Sequence, residues 1–374
     1  MATNRSNRRL WWFAATLGAL LLAALMPASA AAAARITFGQ SDSLGLSIGD
    51  SCVSGRAAAD SIVKVVWKSA SGDVKARASV NSNILGDWRH CSDGSHVLAV
   101  GDRIKAADDI GSRTITMPRV TLVGDRVNNL FRGRAPAGSM GRIWWHSGIF
   151  ADYYEFEDVA ARSDGTWRFR PYSDFDLIGG IYAFVDWRSA KGDYFSAGGM
   201  APYVEVVLGR STFSGQNRPG RESNVALRDP DTGARIARGT AVADTHGAFA
   251  GRLRDDQGDP IAVMPGDRLI STIASDANWL VPNIDGAANA GNDHVSGICH
   301  GPGLTETAVA RVYRTGRQRG YAFLQLDGAG AFEIDFSGRE TLGFDPANIK
   351  LGDRVTIACL HETGDWVVLE FRVT

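Results

Sequence analysis

The residues with the plainest chemical potential lie near the start of the chain. Gly45-Leu46-Ser47-Ile48-Gly49 has the G-x-S-x-G spacing of a nucleophile elbow, in which a serine on a sharp strand-to-helix turn is held out to attack a carbonyl. Phe38-Gly39-Gln40-Ser41-Asp42-Ser43-Leu44, just before it, has the look of an esterase nucleophile block. The chemistry of either stretch needs a helix behind the serine. No sustained helical period surrounds them, so no catalytic residue is expected.

Metal chemistry fares no better. His90, His96, His146, His246, His294, His300 and His361 are scattered; His294 and His300 lie close in sequence, with Asp293 beside them. A metal site needs three or four converging ligands, which this spacing does not supply. Asp229-Pro230-Asp231-Thr232-Gly233 and Asp255-Asp256-Gln257-Gly258-Asp259 place carboxylates on turns, as calcium sites do. Neither follows the EF-hand spacing, and Asp and Gly are what hairpin turns require in any case. No metal and no cofactor are expected. Arg311, Arg314, Arg317 and Arg319 crowd around Thr315-Gly316 and read as a solvated hairpin tip. With 40 Lys plus Arg against 41 Asp plus Glu over 374 residues, the charge balance argues against a nucleic-acid partner.

The aromatic residues are more informative. Sixteen Trp, Tyr and Phe fall between Trp144 and Tyr203, including six of the eight Tyr. That is about twice what one small sandwich core needs. Alternation places Trp145 inward with Ile143, and Trp144 outward with Arg142 and His146. Phe150, Tyr154 and Phe156 share one parity, which leaves Tyr153 on the other face with Glu155 and Glu157. Trp187 ends a strand, and Tyr194-Phe195 follow a Lys191-Gly192-Asp193 turn. Exposed flat rings beside charged groups hold sugars or grip proteins, so Trp144, Tyr153, Trp187 and Tyr194 are the candidate ligand-binding residues. The competing reading is a core built of large rings.

Residues 1–30 read as a signal peptide. Arg5, Arg8 and Arg9 are basic, Leu10 to Met26 is uncharged and mostly apolar, and Ala28-Ser29-Ala30 offers the small residues of a cleavage site. An uncleaved anchor is the alternative, although the apolar run is short for a span. No membrane span is expected in the mature chain. Secretion, or association with the cell envelope, is the expected location. An exported chain with an even number of cysteines suggests disulfides. Cys52, Cys91, Cys299 and Cys359 allow three pairings. Cys52–Cys91 and Cys299–Cys359 are favoured because each then stays within one segment of the division described next.

These elements sit in a repeat. Val53-Ser54-Gly55, Phe131-Arg132-Gly133, Phe213-Ser214-Gly215 and Val295-Ser296-Gly297 open four units. Each continues with an alternating strand, then a turn with an aromatic strand start: Gly86-Asp87-Trp88, Gly165-Thr166-Trp167, Gly247-Ala248-Phe249 and Gly330-Ala331-Phe332. A second Gly turn follows, as in Gly101-Asp102-Arg103, Gly266-Asp267-Arg268 and Gly352-Asp353-Arg354, and β-branched runs such as Pro118 to Val123 and Tyr203 to Leu208 close the unit. Short period-2 runs broken by Gly and Asp turns predict an all-β chain.

The pattern resembles the tandem immunoglobulin-like or fibronectin-III-like modules of bacterial secreted and surface proteins. The resemblance implies four small β-sandwiches after the signal peptide, at 36–124, 125–209, 210–285 and 286–374. Short linkers favour limited bending, with 286–297 as the loosest joint. It also fits a non-catalytic, adhesin-like binding and spacer protein, and the crowding of aromatic residues centres the expected recognition on the second unit. Its partner would be a cell-wall or extracellular polysaccharide, or a surface protein. A carbohydrate-binding protein using the second unit's exposed rings, and a secreted hydrolase with a hidden site, remain open as alternatives.

Overall fold

A computed structural model describes residues 36–39, 45–146, 154–172, 175–274, 277–338 and 344–374. The expected signal peptide (1–30) and Tyr153 lie outside the described residues. Within them the chain is β-structure, with one short 3-10 turn at Arg126–Asn128. The strand connection repeats. A leading strand pairs with an opening strand, which pairs with an aromatic strand; the groups are Thr37–Phe38, Cys52–Arg56 and Asp87–Cys91; Thr121–Asp125, Leu130–Arg134 and Thr166–Phe169; Tyr203–Val207, Thr212–Gln216 and Ala248–Arg252; and Asn283–Asn289, His294–His300 and Ala331–Asp335. Four further strands after each of the first three opening strands form the facing sheet, as in Val74–Asn81, Ile62–Lys68, Arg103–Ala107 and Ser112–Thr116, and five do so in the fourth repeat, where Phe344–Asp345 is added. Three strands against four, antiparallel within each repeat, are the immunoglobulin-like sandwich arrangement.

The repeated glycine and the repeated aromatic residue explain one another. They are register partners: Gly55 with Trp88, Gly133 with Trp167, Gly215 with Phe249 and Gly297 with Phe332. A Cβ at Gly297 would lie 2.5 Å from the Asp285 carbonyl and 2.7 Å from the Phe332 ring. At the other three positions it would collide with the carbonyl of Thr37, Thr121 or Tyr203 on the leading strand. Only glycine lets that strand and the ring both close over the opening strand.

The same contact corrects the division between repeats. The runs Pro118 to Val123 and Tyr203 to Leu208, expected to close one repeat, pair forward with the next opening strand, Leu130–Arg134 and Thr212–Gln216. Alternation shows which face of a run is buried but not which neighbour it joins. The segment expected to be the loosest joint is also a strand: Asn283–Asn289 pairs residue for residue with His294–His300, and the cut at 285 falls inside it.

The chain divides into two compact units. In the first (described residues 36–39, 51–117 and 191–193), Phe38, Val53, Val63, Val65, Trp67, Trp88, Ile104 and Ala106 are buried. The Gly-Asp turn does two jobs. Asp102 accepts the N–H of Ala99 at 3.0 Å, closing the turn, and anchors the Trp67 indole N–H and Lys75 Nζ, each at 2.8 Å. Asp193 accepts the Phe38 N–H at 3.1 Å and pairs with Arg113. Cys52 and Cys91 sit opposite each other in one sheet and form a disulfide.

In the second unit (described residues 45–50, 118–190 and 194–374), the third and fourth repeats are not separate beads. Tyr203–Val207 pairs parallel with Trp366–Arg372, which makes one eight-stranded sheet, and one apolar cluster runs from Val204 to Val373. Cys299–Cys359 bridges the sheets of the fourth repeat. Asp365 and Arg126, both buried, bind through both guanidinium nitrogens at 3.0 and 3.1 Å. Asp365 also accepts the Val204 N–H, the Thr363 hydroxyl and the Trp279 indole N–H. One carboxylate thus ties together the starts of the second and third repeats and the last hairpin of the fourth. A buried charge keeps its ionised form only with such partners.

Candidate functional site

The outer face of the five-stranded sheet in the second repeat carries the exposed rings. Its strands run Tyr154–Ala160, Met140–His146, Tyr182–Arg188, Tyr194–Met200 and Leu46–Ser47. Register sets the face: Trp144 is opposite Phe156 on one side and Phe184 on the other, and His146 is opposite Tyr154. Trp144 stacks on Phe184, with centroids 4.9 Å apart and planes 10° apart. Tyr154 meets Phe184 edge-on at 5.4 Å and lies 4.1 Å from the His146 ring. Phe156 is 58% exposed, Met140 58%, Tyr154 41% and Tyr182 36%. Gly198 makes room for the Tyr182 hydroxyl, since a Cβ there would run into it.

Charged groups rim this patch. Arg142 lies over the Phe156 ring at 5.1 Å and binds Asp158 at 2.7 Å, which holds the Asp158 carboxyl below its usual range. Arg188 lies 5.8 Å from the Tyr194 ring. Burial, with Tyr154 adding to it, pushes the Tyr182 phenol up. Beside the rings a groove of about 430 Å³ takes in Ser47, Asp50, Tyr154, Tyr182, Phe184 and Ser196.

The candidate residues therefore separate. Trp144 faces outward and is half-buried under its neighbours, and Tyr194 shares that face at the sheet's far side. Trp187 is corrected: it is 0% exposed, opposite Gly141 and Phe195 and against Trp167, on the inner face with Val185 and Ala183. A ring with both sides covered cannot stack a ligand. The neighbouring strand presents the opposite face from the one expected. Glu155 and Glu157 lie across from Trp145 and Ile143, and it is Tyr154 and Phe156 that join the outer face. No local signal distinguishes the two faces of a strand with rings on one and glutamates on the other; the register with Trp144 does.

The other motifs resolve into structure, except the Phe38–Leu44 block, of which residues 40–44 lie outside the described residues. Ser47 lies in a two-residue strand beside Ser196, with no helix behind it. Asp229 Oδ1 accepts from the backbone of Thr232 and Asp231, and Asp255 Oδ1 from Gln257 and Asp259, so both acidic loops are closed turns. The backbone N–H of Thr232 holds the Asp229 carboxyl low. His294 binds Glu333 at 2.9 Å and His361 stacks on Trp279. Among the described residues no group of three His, Cys, Asp or Glu is placed to hold a metal. Thr315 and Gly316 form the tip of the Leu304–Arg314 and Arg317–Gln325 hairpin, where Arg314 pairs with Asp353. Among the described residues no helix is long and apolar enough to cross a membrane.

No protein-family model matches the chain, and no curated protein matches it. Solved structures with some similarity are tandem β-domain proteins. A tetra-tandem repeat from the extending region of a large adhesion protein is 13% identical and covers 91% of this chain and 98% of its own, with a TM-score of 0.19. A bacterial ice-binding adhesin is 14% identical over 68% of this chain and 96% of its own, with a TM-score of 0.19. Domains FN1–FN3 of chicken CNTN1 are 9% identical over 91% and 97%, with a TM-score of 0.20. Similarity at this level carries nothing about function. The class, tandem immunoglobulin-like or fibronectin-III-like β-sandwich repeats, rests on the recurring strand connection itself.

Proposed function

We propose that this is a non-catalytic, adhesin-like binding and spacer protein of four tandem sandwich modules, acting outside the cytoplasm, which grips a partner protein through the outer face of its second module. The observation that carries this reading is the contiguity of the rings. Trp144, Phe184, Tyr154 and Tyr182 touch one another at mixed angles, 10° to 76°. They leave no separated, coplanar platforms of the kind a sugar chain stacks on. An apolar centre with a charged rim is the anatomy of a protein interface. Two disulfides support an oxidising compartment. The groove beside Tyr182, with its hydroxyls and the Asp50 carboxylate, favours a second reading in which a short saccharide binds there.

Binding of the labelled protein to cells of its source, scored for wild type and for Phe156→Ser and Trp144→Ser, tests both. Loss of binding in the variants and after protease shaving of the cells supports a protein partner. Loss on periodate treatment instead transfers the site to the saccharide reading. Binding equal in wild type and both variants overturns the assignment of this face.

A further inference from the structure

We propose that the third repeat carries a separate binding site, for an anionic polysaccharide. Five arginines, Arg228, Arg235, Arg238, Arg252 and Arg254, line one open cleft of about 810 Å³. They come from three strands and a loop, and all are exposed. Register brings them together: Arg228 is opposite Arg235, and Arg238 exchanges backbone hydrogen bonds with Arg254. Like charges so placed repel one another.

Three of the five have local partners. Arg235 binds Asp256 at 2.7 Å, Arg228 donates to the Gly233 carbonyl, and Arg254 donates to the Gly258 carbonyl. Arg238 and Arg252 make no side-chain hydrogen bond or ion pair among the described residues. Their guanidinium forks are free to take a carboxylate or sulfate in bidentate fashion. The floor between them is small and polar, with Ala226, Thr240, Asn224 and Thr272, and this suits sugar hydroxyls.

The lining excludes the other common polyanion. It holds no aromatic ring on which a base could stack, and Asp255 and Asp256 at one wall would repel a continuous phosphate backbone while accepting from hydroxyls. The ligand chemistry is therefore a saccharide with spaced negative groups, uronate or sulfate.

Titration of the purified full chain with a sulfated polysaccharide, a polyuronate, neutral dextran and single-stranded DNA of matched charge tests this. Binding is expected to at least one anionic saccharide and not to dextran, and the stronger of the two arms identifies sulfate or carboxylate. Arg238→Ala with Arg252→Ala is expected to weaken it about tenfold or more and to flatten its salt dependence by about two released counterions. Both side chains are exposed, so an unchanged circular dichroism spectrum confirms folding. Arg317→Ala with Arg319→Ala, beside the other basic tip and both exposed, is expected to change nothing. No binding above dextran, equal loss in both double variants, or tighter binding of the DNA would overturn the proposal.

Discussion

Gly133 and Trp167 face each other across neighbouring strands, and a Cβ on Gly133 would sit 2.9 Å from the Trp167 indole nitrogen while striking the Thr121 carbonyl. The glycine and the ring are two halves of one contact that three strands share. Its sequence signature repeats because the contact repeats.

Gly133→Ala should therefore destabilise the second repeat by about 1–3 kcal/mol through overpacking, the same change at Gly328, which is open and has no positive φ, far less. Trp167→Phe should cost under about 1.5 kcal/mol. The Trp167 N–H has no hydrogen-bond partner among the described residues, and the third and fourth repeats place Phe249 and Phe332 at this position. Urea midpoints of the three variants decide it.

Trp187 and Trp144 lie on opposite faces of one sheet and should fail in different assays. Trp187→Ala empties a fully buried site and should cost about 3–5 kcal/mol. Trp144→Ala should cost little stability and should abolish partner binding. Denaturation and cell-binding curves on both variants would show this crossed pattern; parallel losses would contradict it.

Removing Asp365 leaves the Arg126 guanidinium buried without its partner. Asp365→Ala should cost about 3–5 kcal/mol, and the paired change Arg126→Met with Asp365→Leu should recover part of that loss. Differential scanning calorimetry of the single and double variants measures the recovery.

Glu205 gives a pH signature. Burial pushes its carboxyl up, against the opposing pull of Arg311 and the Ser214 hydrogen bond. The folded state then holds the proton more tightly than the unfolded chain. Stability from this group is full below the ordinary carboxylate range and falls as pH rises through the raised folded value. Glu205→Gln should raise the melting temperature at pH 7 by a few degrees and leave it unchanged below about pH 4. An equal gain at both pH values would show that the effect is not titration.

What the sequence disclosed was whatever depends on near neighbours. The glycine openings, the turn-plus-aromatic starts and the inward Trp145 follow from period-2 alternation and turn chemistry. The disulfides followed from where the repeats divide. What stayed hidden depends on which strand lies beside which. Tyr154 and Phe156 reach the outer face only through register with His146 and Trp144. Arg126 and Asp365 are 239 residues apart, and the five arginines of the cleft gather by folding alone. The runs after Pro118 and Tyr203 look alike whether they end one repeat or start the next.

The parallel seam between Tyr203–Val207 and Trp366–Arg372 has a consequence for how such a chain can change over generations. A module flanked by linkers can be lost or duplicated at little cost. Here a deletion from residue 283 onward would strip Tyr203–Val207 of its neighbour and bare a row of unsatisfied amides, an invitation to aggregate. The third and fourth repeats thus share one sheet and one core, and neither should stand without the other.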